Sequence, residues 1–264
     1  MFKKCKVIGF LFIIVLFFTV SAVIVFNRNY VPAILMYHSV YSNPDPENRL
    51  AVSTEIFERQ MRFLKEYRYN VVTLEALADL IKNKKKIPRN TVAITLDDGY
   101  KNNYTDAFPI LKKYNLPANI FIIVNEVGRP QNDRLNWSQI QEMQDSGIFT
   151  IGSHTLGPEP LVNIHDEAVV KEEIFVSKKI LEEKLGRKVN IFSYPEGRFN
   201  PQIRQMVIDA GYKAAVTTNP GKEFSNNDVF ALKRLRISAN AGNLFVFWVE
   251  SSGYYNFMRE SRKK

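Results

Sequence analysis

The sequence predicts an α/β fold in which parallel strands alternate with helices. Short apolar runs at residues 33–38, 91–96 and 120–124 have the length of buried strands, and helical patterns separate them. This alternation favours right-handed crossovers, and therefore a barrel or an open parallel sheet. The 264 residues, 45% of them hydrophobic and 24% charged, suit one globular domain plus a short additional segment.

The first half of the globular part supplies three strands and two helices in order, including a short strand at Val71 and Val72 between the two helices. Residues 33–38 (AILMYH) form an apolar run that ends in polar residues, which predicts a buried strand. Ser53 is a suitable N-cap for a helix that extends to about residue 67, with its apolar residues on one face. A second helix is predicted over residues 74–84, and residues 91–96 (TVAITL) form the next strand.

The second half continues the alternation to the end of the chain. A helix is predicted over residues 106–114, and Pro117 precedes the strand at residues 120–124. Gly211 ends another predicted helix. The remaining predicted helices cover residues 137–146, 166–185, 201–210 and 243–260, and the remaining strands cover 148–152, 190–194, 214–217 and 235–237.

The N-terminus predicts a membrane segment. Residues 7–26 are uncharged, and at about 1.5 Å per residue a helix of that length spans a hydrocarbon core. The basic flank before it places the N-terminus inside and the remaining chain outside the cytoplasm. The chain is thus predicted to be a single-pass cell-membrane protein. Residues 1–28 form the cytoplasmic flank and the membrane anchor, and residues 29–264 form an extracytoplasmic domain. Signal cleavage near residues 20–22, giving a secreted protein, is the alternative, but the apolar run continues beyond that point.

Charge and cysteine content exclude several classes of protein. The net charge is +9, and the basic residues are too scattered to predict nucleic-acid binding. The single cysteine, Cys5, excludes a disulfide framework.

Polar residues follow several predicted strands at the point where each strand ends. They are His38, Asp97 with Asp98, His154, and Tyr194 with Pro195. In an α/β barrel this face carries the active site. Adjacent carboxylates on an extended chain diverge, so one can bind a metal while the other faces the substrate; a solvated Asp-Gly turn is the alternative. His154 fits either a ligand or a structural residue.

Six segments together resemble the polysaccharide deacetylases with a NodB-homology domain, carbohydrate esterase family 4. The resemblance covers about residues 31–237. Its segments are 34–38 (ILMYH), 95–100 (TLDDGY), 117–121 (PANIF), 151–155 (IGSHT), 192–197 (FSYPEG) and 210–212 (AGY).

The resemblance implies a distorted (β/α) barrel with fewer than eight full units. It also implies removal of N-acetyl groups from acetylated amino-sugar polymers, in peptidoglycan or an exopolysaccharide, with a divalent metal that is usually zinc. In this sequence Asp97 would be the general base, and Asp98 and His154 would be metal ligands. Tyr194 and Pro195 would contact the substrate.

The sequence departs from the family pattern at two positions, and one aromatic residue has an open role. Pro158 stands where the second motif has another histidine, and no histidine follows His165 to act as a late catalytic acid. Glu159 or His165 could replace the lost ligand, although His165 is better explained as part of the start of a helix. Trp137 either stacks on a sugar ring or is a buried aromatic residue.

Two functions are therefore compatible with the sequence. One is an active deacetylase with an altered metal site. The other is a catalytically degenerate domain that binds a glycan or an envelope partner. His38 is expected to pack at a strand end or to support the site.

Overall fold

The computed structural model describes residues 30–45, 48, 50–129, 133–218, 226–237 and 242–255, together with residues 16, 17 and 19. The predicted membrane segment, residues 7–26, lies almost entirely outside this part. Among the described residues, no helix has the length and apolar character needed to cross a bilayer.

The described strands belong to two parallel sheets. The larger sheet contains β1 (Ala33–Tyr37), β4 (Asn70–Val72), β5 (Thr91–Leu96), β6 (Ala118–Ile122), β7 (Phe149–Ser153), β8 (Ile191–Ser193), β9 (Ala214–Thr217), β10 (Leu232–Lys233) and β11 (Leu235–Arg236). The smaller sheet pairs β2 (Ser39–Tyr41) with β3 (Ala51–Ser53).

Helices connect most of the strands. They are α1 (Thr54–Glu66), α2 (Leu74–Lys82), α3 (Phe108–Tyr114), α4 (Trp137–Asp145), α5 (Glu167–Leu185), α6 (Pro201–Asp209) and α7 (Leu244–Ser251). Side-chain caps define where these helices begin. Ser53, for example, accepts a hydrogen bond from the Ile56 N–H, and Asn136 forms a capping box with Gln139 at the start of α4.

The large sheet curls into a nearly closed barrel, as the resemblance predicts. Its strand order is β10-β9-β8-β7-β6-β5-β1-β11, and β4 pairs with the first half of β5. The two ends of this path are consecutive in the chain, because only Arg234 separates β10 from β11. Leu232 pairs with Val216 of β9, and Leu235 pairs with Leu35 of β1. Five residues of chain therefore close the barrel.

Since all these strands are parallel, the barrel has two distinct rims. Its C-terminal rim is formed by the strand ends and its N-terminal rim by the strand starts. Apolar residues fill the barrel and the layer between sheet and helices. Gly152 is required where strands pack closely, since an added Cβ would lie 2.6 Å from the Phe121 ring.

Several predicted boundaries shift in the structure. The strand predicted at 120–124 begins two residues earlier, at Ala118. The terminal helix was predicted to reach residue 260, but it ends at Ser251, within the described residues. A π-helical turn, Asn103–Ala107, precedes α3. The small sheet of β2 and β3 was not predicted, because three-residue strands carry too little periodic signal.

Candidate active site

A cavity of about 760 Å³ opens at the C-terminal rim. Its polar lining combines side chains from the ends of several strands and from the closing segment of the barrel. These include His38, Asp97, Asp98, Arg134, His154, Arg234 and Glu250. The fold thus brings His38, Asp97, Asp98 and His154 together, as the predicted strand ends require.

Asp97 and Arg234 form a buried ion pair beneath this cavity. Both oxygens of Asp97 accept hydrogen bonds from the guanidinium, at 2.6 Å from Nη1 and 2.7 Å from Nη2. The side chains are 1% and 0% exposed, respectively. Arg234 also donates to the hydroxyls of Thr95 and Ser193 and to the Thr217 carbonyl. The guanidinium is therefore fixed in one orientation, and it fixes the carboxylate.

The pair keeps Asp97 ionised. Burial alone raises the pKa of the Asp97 carboxyl, but the charges of Arg234 and then His154, with the Arg234 hydrogen bonds, outweigh it and lower the pKa to about 2. Asp97 is consequently a carboxylate over the whole neutral range, with its oxygens close to the cavity.

Asp98 and His154 face each other beside this pair. The His154 Nδ1 lies 2.8 Å from the Ser193 carbonyl oxygen, which only accepts, so Nδ1 carries the proton. The Nε2 lone pair is then directed at the cavity, 3.5 Å from Asp98 Oδ1 and 4.0 Å from Asp97 Oδ2. A histidine held by a backbone carbonyl through one ring nitrogen is a typical metal ligand through the other.

Comparison with known proteins identifies the family. The sequence profile of the polysaccharide deacetylases matches residues 84–215. The Bacillus subtilis (strain 168) protein YxkH, whose name assigns it to the polysaccharide deacetylases, is 35% identical over 219 residues, covering 83% of this chain and 76% of that protein. This chain belongs to the polysaccharide deacetylase family.

Two further relatives of this family member are informative. A poly-β-1,6-N-acetyl-D-glucosamine N-deacetylase of Staphylococcus aureus (strain MRSA252) is 27% identical over 211 residues, covering 76% of this chain and 72% of that protein. The solved structure of the Streptococcus pyogenes deacetylase PplD in complex with acetate superposes with a TM-score of 0.72 at 28% identity, covering 82% of this chain and 97% of that chain.

The donor set of this deacetylase-family chain fits a divalent metal through two residues. Asp98 and His154 present a carboxylate oxygen and an imidazole nitrogen to the same space. Among the described residues, no group of three His, Cys, Asp or Glu side chains could hold an ion. Pro158, in the place of the third ligand, lies on the cavity wall. The three-residue set of the resemblance is therefore incomplete in the described part of the chain.

The two predicted replacement ligands lie elsewhere. Glu159 is exposed, and its carboxylate accepts a hydrogen bond from Asn163 at 2.7 Å. His165 is exposed and lines a separate depression with residues such as Leu161 and Ile203. It directly precedes Asp166, the N-cap of α5. This position agrees with the prediction that His165 belongs to the start of a helix.

The backbone is strained at three positions around the cavity. Asp98 has a φ of 69°, Thr155 of 69° and Glu196 of 54°. Such left-handed conformations are costly for residues other than glycine, most of all for the β-branched Thr155, and they concentrate at functional sites. Asp98 and Gly99 together form the left-handed turn that directs the Asp98 carboxylate toward His154.

Tyr194 lies beneath the cavity wall rather than on it. It is 0% exposed, its hydroxyl donates to the Phe230 carbonyl, and its ring stacks on Phe199. Its N–H donates to the Val216 carbonyl, so neither group is free to contact substrate in this structure. Pro195 does line the cavity. The predicted contribution of this motif to substrate binding therefore falls on Pro195.

Trp137 does not lie among the cavity residues. It is the first residue of α4, partly buried against the core, with the Lys184 ammonium 5.9 Å from its ring centre. The structure thus agrees with the packing alternative.

Four cavity residues were missed or undervalued by the sequence analysis. Arg234 gave no local signal, because it lies between β10 and β11 in a segment that also contains Lys233 and Arg236. His38 was expected to pack at a strand end or to support the site; it lines the cavity, and its buried Nδ1 has no hydrogen-bond partner among the described residues. Burial lowers the pKa of His38, although Asp97 and Asp98 oppose the shift.

The other two are Arg134 and Glu250. The Arg134 guanidinium stacks 4.0 Å from the centre of the Tyr100 ring, and burial, then the Asp98 carboxylate, raises the pKa of Tyr100. Glu250 is partly buried without a hydrogen-bond partner for Oε2 in the described part, and this burial raises its pKa to about 7.

Proposed function

We propose that the chain hydrolyses N-acetyl groups on an acetylated amino-sugar polymer, either peptidoglycan or an exopolysaccharide. The observation that carries this proposal is the arrangement of an ionised Asp97, fixed by Arg234, beside the Asp98–His154 pair in one cavity. The relative named for poly-β-1,6-N-acetyl-D-glucosamine supports a glucosamine polymer as substrate. Acetate, the expected product, is the ligand in the PplD complex.

Asp98 and His154 are the residues that would hold a divalent metal, and their oxygen and nitrogen donors suit zinc. When bound, such an ion polarises the acetamide carbonyl and lowers the pKa of a water molecule.

Asp97 is the group that moves the proton. Its pKa of about 2 leaves the carboxylate ionised but makes it a weak base, so it would accept a proton from a water whose own pKa a bound metal lowers. The bidentate contact with Arg234 holds one carboxylate orientation throughout. A carbon–oxygen bond to the acetyl carbon forms, the carbon–nitrogen bond breaks, and the water proton is transferred to Asp97.

The leaving amine then requires a proton, and two residues can supply it. Protonated Asp97 is a strong donor because its pKa is so low. His38 is the second candidate, since it lines the same cavity and interacts electrostatically with Asp97 and Asp98. Transfer from Asp97 regenerates its carboxylate directly. In the other route His38 gives its proton to the amine and then takes the proton held by Asp97. Both routes release acetate and the free amino sugar.

The proposal also includes location. Residues 7–26 have the length and composition of a membrane anchor, which would place residues 29–264 outside the cytoplasm, where such polymers occur. Release after signal cleavage is the alternative.

One observation favours a second function. Pro158 occupies the cavity wall at the position where the family motif has a ligand. A domain that binds its polymer without hydrolysing it would be compatible with that change.

Acetate release separates the two functions. The full-length protein, supplied with zinc, would be incubated with β-1,6-linked N-acetylglucosamine oligomers and with N-acetylated peptidoglycan fragments. We expect acetate release that Asp97→Asn abolishes. Because that variant leaves Arg234 buried without its carboxylate, the double variant Asp97→Asn/Arg234→Met is the matched control for stability. Binding of the oligomers without acetate release would contradict hydrolysis and favour the binding function.

A further inference from the structure

The turns at the N-terminal rim of the barrel, opposite the cavity, are basic. Six turns lead from a helix into a parallel strand and therefore meet at this rim: residues 67–69, 83–90, 115–117, 146–148, 186–190 and 210–213. Four of these turns contain basic residues, and none of the six contains Asp or Glu. Acids at the adjoining helix ends pair with two of the cations, since Arg187 lies 3.5 Å from Asp145 and Lys188 lies 3.3 Å from Glu182. The densest is the turn 83–90, with Lys84, Lys85, Lys86 and Arg89, all exposed.

The C-terminal rim differs in composition. Its loops contain both acidic and basic residues, and acidic residues such as Asp98, Glu159 and Glu196 lie near or beside the cavity. The basic rim is therefore a property of one end of the barrel and not of the surface in general.

An exposed aromatic patch adjoins the basic rim. It consists of Tyr67, Phe245 and Trp248, whose exposed fractions are 63%, 68% and 48%. Tyr67 follows the last residue of α1, in the first rim turn. The Ser251 hydroxyl at the end of α7 donates to the hydroxyl of Tyr69 in that same turn. Large exposed aromatic side chains in a cluster indicate an interaction surface.

The chain enters the fold at this same rim. The Tyr30 hydroxyl donates to the Pro88 carbonyl, within the basic turn 83–90, and its ring packs edge-on against Tyr254. The Val31 N–H donates to the Gly253 carbonyl just beyond α7. The apolar segment 7–26 ends four residues before Tyr30, so at most about 14 Å of chain separates the end of that segment from the rim.

We propose that the basic rim and the aromatic patch rest on the surface of an anionic phospholipid bilayer. This inference relies on the membrane anchoring proposed above, because the bilayer is the one in which residues 7–26 are embedded. Lysine and arginine side chains near a membrane surface are attracted to anionic headgroups, and Trp and Tyr favour the headgroup level. The short tether holds this rim at the bilayer, so the cavity at the opposite rim faces away from it, toward the polymer.

The two tryptophans of the chain provide a matched pair of probes. Trp248 belongs to the aromatic patch. Trp137 is the first residue of α4, lies outside the patch and is partly buried against the core. Trp137→Phe leaves only Trp248, and Trp248→Phe leaves only Trp137. Each full-length variant would be reconstituted into vesicles of phosphatidylcholine with phosphatidylglycerol, and fluorescence quenching by phosphatidylcholine with brominated acyl chains would be measured.

We expect brominated lipid to quench Trp248 at least about twofold more strongly than Trp137. In vesicles of phosphatidylcholine alone, or after Lys84→Glu/Lys85→Glu/Lys86→Glu, the quenching of Trp248 should fall toward that of Trp137. Equal quenching of the two tryptophans in anionic vesicles would overturn the proposal. So would a Trp248 that is shielded from both brominated lipid and aqueous acrylamide, because the patch would then be covered by protein, either another segment of this chain or a second copy.

Two control measurements separate this inference from the proposed membrane anchoring and from the proposed deacetylase activity. If alkaline carbonate extracts the full-length protein from the vesicles, the anchor itself has failed, and the docking proposal fails with it. Retention in the vesicles with equal quenching refutes the docking alone. Acetate release from soluble oligomers tests the deacetylase proposal independently, because the substituted residues of the basic turn lie at the opposite rim.

Discussion

The Arg234 guanidinium donates hydrogen bonds to both carboxylate oxygens of Asp97, at 2.6 and 2.7 Å. Arg234 is the single residue between β10 and β11. The segment that closes the barrel thus also orients the proposed general base. The same side chain also donates hydrogen bonds to β5, β8 and β9, through Thr95, Ser193 and Thr217.

Replacing Arg234 should therefore cost stability as well as activity. Arg234→Met leaves the buried Asp97 carboxylate without its partner, and we expect a loss of about 3–5 kcal/mol in the free energy of unfolding. The double variant Asp97→Asn/Arg234→Met should regain much of that loss while remaining inactive. Chemical denaturation of the wild type, both single variants and the double variant gives the coupling energy. Additive effects would show that the pair contributes no coupling.

Asp98 should show a trade-off between stability and function. Its φ of 69° is costly for an aspartate but not for a glycine. We expect Asp98→Gly to be at least as stable as the wild type, with a gain of up to about 1 kcal/mol, and to lose zinc binding. Asp98→Asn, which tolerates the same backbone, serves as the control that removes only the charge. A destabilised Asp98→Gly variant would mean that the carboxylate makes a structural contact stronger than the strain.

Pro158→His should strengthen metal binding. The side chain at this position lines the cavity that contains Asp98 and His154, so a histidine there can add a third donor. We expect the zinc dissociation constant to fall by at least about tenfold, measured by competition with a chelating dye. Glu159→Gln and His165→Gln, which alter side chains outside the cavity, should leave it unchanged. If His165→Gln or Glu159→Gln weakens zinc binding instead, the third ligand reaches the site through a rearrangement.

Glu250 should make stability depend on pH in a defined direction. Its pKa is raised to about 7 by burial, above its ordinary value of 4.5, so the folded state binds more protons than the unfolded state between those values. Stability should then fall as pH rises from about 4.5 to about 7.

The comparison with Glu250→Gln isolates this contribution. The glutamine variant should match the wild type near pH 4.5 and exceed it at pH 8, because it carries no buried charge. Thermal unfolding across this pH range would measure the difference. A glutamine variant that is less stable at pH 8 would show that the Glu250 carboxylate is stabilised by a partner.

The barrel and most of the candidate site could be predicted from the sequence. Asp97, Asp98 and His154 follow buried strands, and parallel topology alone brings such strand ends together. Arg234 was missed because its partner is 137 residues away, and no local pattern encodes that pairing. Tyr194 was expected near the substrate, but the turn after β8 directs its ring into the core against Phe199.

The most direct measurement is zinc-dependent acetate release by the full-length protein, compared with Asp98→Asn and Pro158→His. The protein would be stripped of metal with a chelator, and acetate from N-acetylglucosamine oligomers would be measured before and after zinc is restored. The proposal predicts release only after zinc is restored, loss of that release in Asp98→Asn, and saturation at lower zinc in Pro158→His. Acetate release that is unaffected by chelation and by Asp98→Asn, or no release at any zinc concentration, would contradict it.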